Sequence, residues 1–141
     1  MQEGTNLIPT LPPVADLEGF VHSQPCKEVA QTLSLVGDKW AVLVIMFLSK
    51  GPRRFNELKR VIGGISQRML TLTLRELERE GLVTRTLFPT IPPRVDYELT
   101  DLGRSLQEPV MALGCWAIRT QPVLKEARSR FDAQLAVRAA S

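Results

Sequence analysis

The chain of 141 residues has two cysteines, one histidine and one tyrosine, and only 6% of its residues are aromatic. Two cysteines cannot build the disulfide framework of a small secreted domain. The single histidine, His22, cannot anchor a convincing Ser–His–Asp set, and no Cys/His spacing suits zinc. Gly63-Gly64 lacks the Lys-Ser/Thr pair that a phosphate loop requires. These gaps argue against an enzyme and call for no metal or cofactor. No apolar run approaches the roughly 20 residues that span a bilayer, so no membrane is expected as a partner. The first 25 residues have neither a basic start nor an apolar core. No secretory signal is read there, and two free thiols then suit the reducing cytosol.

What is present suits one folded domain. Hydrophobic residues make up 44% and charged residues 23%. A chain of this length can bury roughly two-thirds of its unfolded surface, and needs no staples to fold. Charge is unevenly placed. Residues 1–50 carry 3 basic and 5 acidic groups, residues 51–85 carry 8 and 4, and residues 86–141 carry 7 and 6. The basic middle third suits an anionic partner, although a charge run alone is more often a solvated face.

Residues 1–22 contain Pro9, Pro12 and Pro13 without apolar periodicity and read as an arm. Ser23 before Pro25 opens a helix whose apolar set is Val29, Ala30, Leu33, Leu35 and Val36, closing near Gly37. Asp38 caps a second helix, in which Trp40, Leu43, Val44, Phe47 and Leu48 repeat at helical spacing before Gly51-Pro52 stops it. A short helix over residues 55–62 points Phe55, Leu58, Val61 and Ile62 inward. After the Gly63-Gly64 turn, Ser66 caps a fourth helix, with Ile65 set to staple against Leu70. It runs to about Glu80, where Gly81 ends it.

The period then changes. Residues 83–87 and 95–99 read as a hairpin around a loop stiffened by Pro89, Pro92 and Pro93. Thr100 caps a long helix with Leu102, Leu106, Val110, Leu113 and Trp116 on one stripe, and Pro109 predicts a kink inside it. Past Pro122 the chain still reads as helical, then frays over the Ala-rich residues 131–141. Two central helices joined by a short turn and followed by a hairpin make a mainly α winged helix-turn-helix fold. The first and last helices are more apolar than one small core needs.

The fourth helix carries the chemistry. At about 100° per residue, Leu70, Thr73, Leu74 and Leu77 share one stripe. Arg68, Leu72, Arg75 and Arg79 lie opposite, with Thr71 on the near flank and Ser66 and Gln67 in the first turn. A recognition helix needs such a face at its N-terminal end. Arg can pair with guanine and Gln with adenine, Leu72 or Thr71 can touch a thymine methyl, and the helix start favours a phosphate. The same pattern also suits an ordinary amphipathic helix with Arg–Glu pairs; the preceding turn and following hairpin favour recognition. Arg85 and Arg94 are placed near the hairpin tip, to meet backbone or minor groove. Lys39, Arg53 and Arg54 are candidates for phosphates, where they would add affinity without sequence information. Plain solvation is the alternative for each. Core packing explains Trp40, Phe47 and Trp116 more simply than a ligand cavity does.

The following residues, in this order, resemble the HxlR-type regulators, a branch of the MarR-like winged helices. They are Cys26; Gly37-Asp38-Lys39-Trp40; Gly51-Pro52-Arg53-Arg54-Phe55-Asn56-Glu57-Leu58; Ile65-Ser66-Gln67-Arg68-Met69-Leu70; Leu74-Arg75-Glu76-Leu77-Glu78; Gly81-Leu82-Val83; Pro92-Pro93-Arg94-Val95-Asp96-Tyr97; and Leu99-Thr100-Asp101-Leu102-Gly103. The likeness covers about residues 25–117, within a domain placed at residues 23–130. Asp38 stands where the family usually has Gly, and works equally as a cap.

The resemblance implies a homodimeric bacterial transcription factor, more often a repressor, binding double-stranded DNA. It implies dimerisation through the first and last helices, near residues 26–36 and 100–120. Two copies of the fourth helix would then meet successive major grooves of a near-palindromic operator. Cys26 matches a position that similar regulators use to sense a small electrophile or oxidant. Its place in a first helical turn beside Lys27 favours the reactive thiolate. Packing at the dimer interface without signalling is the alternative. Cys115 reads as a small buried hydrophobe. A Cys26–Cys115 disulfide between subunits stays open, because it depends on geometry. The competing class is a winged helix that binds protein and not DNA.

Overall fold

The computed structural model describes residues 24–140, the side chains of residues 24–26 excepted. The arm at residues 1–22, the Ser23 cap, the Cys26 side chain and Ser141 lie outside the described residues. Helix α1 (Gln24–Val36) leads through a tight turn into α2 (Lys39–Leu48), whose start is capped by Asp38 accepting from the amides of Trp40 and Ala41. Strand β1 (Arg53–Arg54) and helix α3 (Phe55–Val61) follow, then α4 (Gln67–Arg79). Strands β2 (Val83–Phe88) and β3 (Arg94–Leu99) form the hairpin. Helices α5 (Asp101–Ser105), α6 (Gln107–Arg119) and α7 (Gln121–Ala140) complete the chain.

The core is built around α2, which is apolar nearly all round and buries Ala41, Val44, Ile45 and Leu48. Leu58 of α3, three leucines of α4, Val83 and Leu99 of the hairpin and Val110 of α6 close over it. Each such fully buried aliphatic side chain contributes about 1.5–3 kcal/mol. The hairpin emerges from this core, since Val83 pairs with Leu99 at its buried root. At the root, Thr100 ties three segments. Its hydroxyl donates to Gly81 O (2.5 Å) and accepts from Gly103 N (3.0 Å), and its amide donates to Leu82 O (3.0 Å). Gly103 sits so close that an added Cβ would lie 2.0 Å from Leu82 O.

Several expectations change. The hairpin is part of a three-stranded antiparallel sheet, ordered β1-β3-β2, because Arg53 and Arg54 pair with Tyr97 and Asp96. The long helix does not kink at Pro109 but breaks at Leu106, three residues earlier. Pro109 cannot donate to Ser105 O and its ring excludes that carbonyl, so the helix restarts and holds Pro109 in its first turn. The tail does not fray: α7 stays helical to Ala140, as the high helix propensity of alanine favours. Val61 points outward, and Cys115 is exposed in the single chain, not buried. Trp40 and Phe47 pack against the core, whereas Trp116 is 50% exposed. Among the described residues, no single helix is long and apolar enough to cross a membrane.

Candidate nucleic-acid interface

Helix α4 begins where Ser66 turns from extended backbone and its hydroxyl accepts from Met69 N at 3.0 Å. Leu70, Thr73, Leu74 and Leu77 are buried, as their spacing predicts, and Ile65 is buried with them. That anchoring leaves the opposite face free. Gln67, Arg68, Thr71, Leu72 and Arg75 are all exposed and line one shallow outward groove. The Thr71 hydroxyl donates to Gln67 O (2.8 Å), so Thr71 offers chiefly its methyl to the groove. Arg79 is separated from this set. It borders a hollow between α1 and α4 with Gln31, Ser34 and Glu76.

Arg85 is not near the hairpin tip. The register pairs it with Tyr97, mid-strand, and it shares a cleft with Thr71, Arg75 and Glu78. It therefore stands beside the exposed face of α4. Arg94 does sit at the neck of the tip, opposite Phe88. Its guanidinium lies 4.2 Å from the Phe88 ring centroid, and its Nε faces Asp96 Oδ1 at 3.3 Å. Those two atoms face each other without hydrogen-bond alignment, so the contact is an ion pair. Arg94 is thus held in place by a cross-strand ring and a neighbouring carboxylate.

Arg53 is committed to the fold. Its Nε donates to Phe47 O (3.0 Å) and its guanidinium approaches Glu57 at 3.9 Å, which bridges β1 to the end of α2. Arg54 is exposed and shares a cleft with Arg60, Pro92, Pro93 and Arg94, between α3 and the hairpin loop. Sequence reasoning missed Arg60, whose only signal was its charge. Lys39 is exposed at the start of α2 with its ammonium 4.6 Å from the Trp40 ring centroid. Among the described residues, no group of three His, Cys, Asp or Glu side chains could hold a metal ion.

This geometry, a polar helix face beside a hairpin with a basic cleft on each side, is that of a DNA-reading winged helix. The model of the HxlR-like helix-turn-helix family matches residues 35–124. YybR of Bacillus subtilis, named as an HTH-type transcriptional regulator, is 42% identical over 98 residues, covering 70% of this chain and 78% of the relative. The solved structure of ytfH from Salmonella typhimurium, named as a transcriptional regulator, superposes with a TM-score of 0.69 at 36% identity, covering 72% of this chain and 90% of that one. The redox regulator HypR in its reduced form superposes with a TM-score of 0.64 at 40% identity, covering 70% and 98%. The chain therefore belongs to the HxlR-like helix-turn-helix family of DNA-binding transcriptional regulators.

Proposed function

We propose that the protein is a homodimeric repressor that reads a near-palindromic operator through α4. The observation that carries this reading is the outward groove of α4, with Gln67, Arg68, Thr71, Leu72 and Arg75 all exposed on a helix whose other face is locked in the core. Arg68, Arg75 and Gln67 supply base contacts, and the Ser66 end of the helix receives a phosphate. Arg85, Arg54 and Lys39 add backbone contacts. Arg53, Arg79 and Arg94 have lesser parts, since two are bound within the fold and one faces α1.

Exposed apolar side chains support the dimer. Val29 and Leu33 on α1 and Leu102, Leu113 and Trp116 on α5 and α6 stand in solvent in a single chain. A second copy would cover such a surface, as apolar patches of this kind mark interfaces. Leu113→Glu should then halve the solution mass in sedimentation while the chain stays folded.

Cys26 is the proposed sensing thiol, in the helix that starts at Gln24. The redox regulator HypR among the structural neighbours supports this role. The test is to select bound fragments of sheared genomic DNA with reduced protein, then to repeat with diamide. One near-palindromic site should be enriched, and diamide should empty it. Cys26→Ser should keep the site and lose the diamide response. Retention of the response in that variant would remove the sensing role. Failure of Arg75→Glu to weaken binding would remove the assignment of α4.

A further inference from the structure

The hairpin loop has an unusual surface for an element that meets DNA. Residues 86–93 contain no charged side chain, and the loop is built from Phe88, Pro89, Thr90, Ile91, Pro92 and Pro93. Ile91 at the tip is fully exposed, at 102% of its reference area. A lone exposed apolar side chain is ordinary. This one stands on a fixed support. Thr90 N donates to Phe88 O (2.8 Å), its hydroxyl donates to Pro92 O (2.9 Å), and Arg94 is clamped on the Phe88 ring just below. Such a tip presents its side chain with little ordering left to lose.

Basic residues stand beside the loop on its α3 side. Arg54, Arg60 and Arg94 line the cleft it shares with α3, together with Pro92 and Pro93, whereas Arg75 and Arg85 line a separate cleft at mid-strand, against α4. A minor groove is a channel about 6 Å wide edged by phosphate strands, one of which the cleft beside the loop can meet. The reach also agrees. Strands of six residues extend about 20 Å at the ordinary rise. A minor groove lies half a helical turn from the centre of the major groove, about 17 Å away. An uncharged tip there has no phosphate to bind, but an Ile and its flanking prolines fit between base pairs, as apolar wedges do in proteins that kink DNA.

We infer that Ile91 is a minor-groove wedge: the wing of this protein partly unstacks one base step beside each half-site and bends the operator, with Arg54 and Arg60 of the cleft beside the loop on a bordering phosphate strand. This rests on the DNA-binding reading above. It adds that flanking bases are read through their deformability, with flexible pyrimidine–purine steps preferred under the wing.

The experiment uses the full chain and its selected operator, with 2-aminopurine placed in turn at the steps flanking each half-site and dyes at the duplex ends. Binding should raise 2-aminopurine fluorescence at one step on each side and shorten the end-to-end distance. Ile91→Asp should bind the same operator about tenfold more weakly. Its 2-aminopurine signal should stay at the free-duplex level, and Ile91→Leu should restore both. Ile91 has no packing role, so far-UV spectra of the variants should match the parent. Specific binding without a fluorescence rise at any flanking step would overturn the wedge and leave the α4 reading standing. An undiminished rise with Ile91→Asp, or a bend that survives it unchanged, would also overturn it. Failure to select any operator would overturn the DNA-binding reading, and the wedge with it.

Discussion

Helices α4 and α7 are held in opposite ways, and only α4 gathers its apolar residues on one face. The 13 residues of α4 include four buried ones, and every residue of its apolar stripe reaches the core. The 20 residues of α7 include none, and Val123, Phe131, Leu135 and Val137 stand exposed. Most helices in proteins depend on tertiary packing. Helix α4 fits that rule. Helix α7 leans instead on local terms: five alanines and two leucines with favourable propensity, and the Glu126–Arg130 pair one turn apart. The face of α4 is therefore specified by contacts from distant parts of the chain, whereas α7 is specified by its own composition. A surface that must meet DNA in one orientation belongs on the first kind of helix.

Substitutions can sharpen that contrast. The largest effect is expected for Leu77→Ala, which empties a fully buried site in the core and should cost about 3 kcal/mol in urea unfolding. Arg75→Glu should leave that unfolding curve within about 0.5 kcal/mol of the parent. It should weaken operator binding by about 10- to 100-fold in a gel-shift titration, because it replaces a base or phosphate contact with a like charge. Ser66→Ala removes the cap that accepts from Met69 N and should cost about 1 kcal/mol. Ala133→Gly should loosen α7 by about 1 kcal/mol in local hydrogen exchange and leave the midpoint of global unfolding unchanged. Smallest of all, Phe131→Ser should shift stability of the single chain by less than about 0.5 kcal/mol. A loss from Phe131→Ser as large as that from Leu77→Ala would erase the distinction between the two helices.

How much of this was legible in the sequence follows from the length of each signal. The stripe and free face of α4 were readable because thirteen residues carry several turns of periodicity between a clear cap and Gly81. The hairpin was readable from its change of period. Strand β1 was not, since two residues, Arg53 and Arg54, can show no period and their pairing partners lie more than forty positions away. The break at Leu106 was displaced from Pro109 because a proline's steric demand falls on the carbonyl four residues back. Arg85 was misplaced because nearness to a loop in sequence is not nearness to its tip; only the strand register sets it opposite Tyr97. The same register stacks Arg94 on Phe88, where it also supports the tip.

The knot at Thr100 has a mechanical consequence. Its hydroxyl and amide fasten the end of the α4 turn, the first residue before β2 and the start of α5 to one another, and Gly103 leaves no space at the joint for slack. The end of α4, the wing root and α5 are thus spokes of one hub. A tilt of α5 by only a degree or two at this joint would carry the wing root with it. At the end of a wing about 20 Å long, a tilt of that size displaces the tip by roughly half an ångström. In the proposed dimer, a hub of this kind would make the spacing of two subunits and the fit of each to DNA a single mechanical variable.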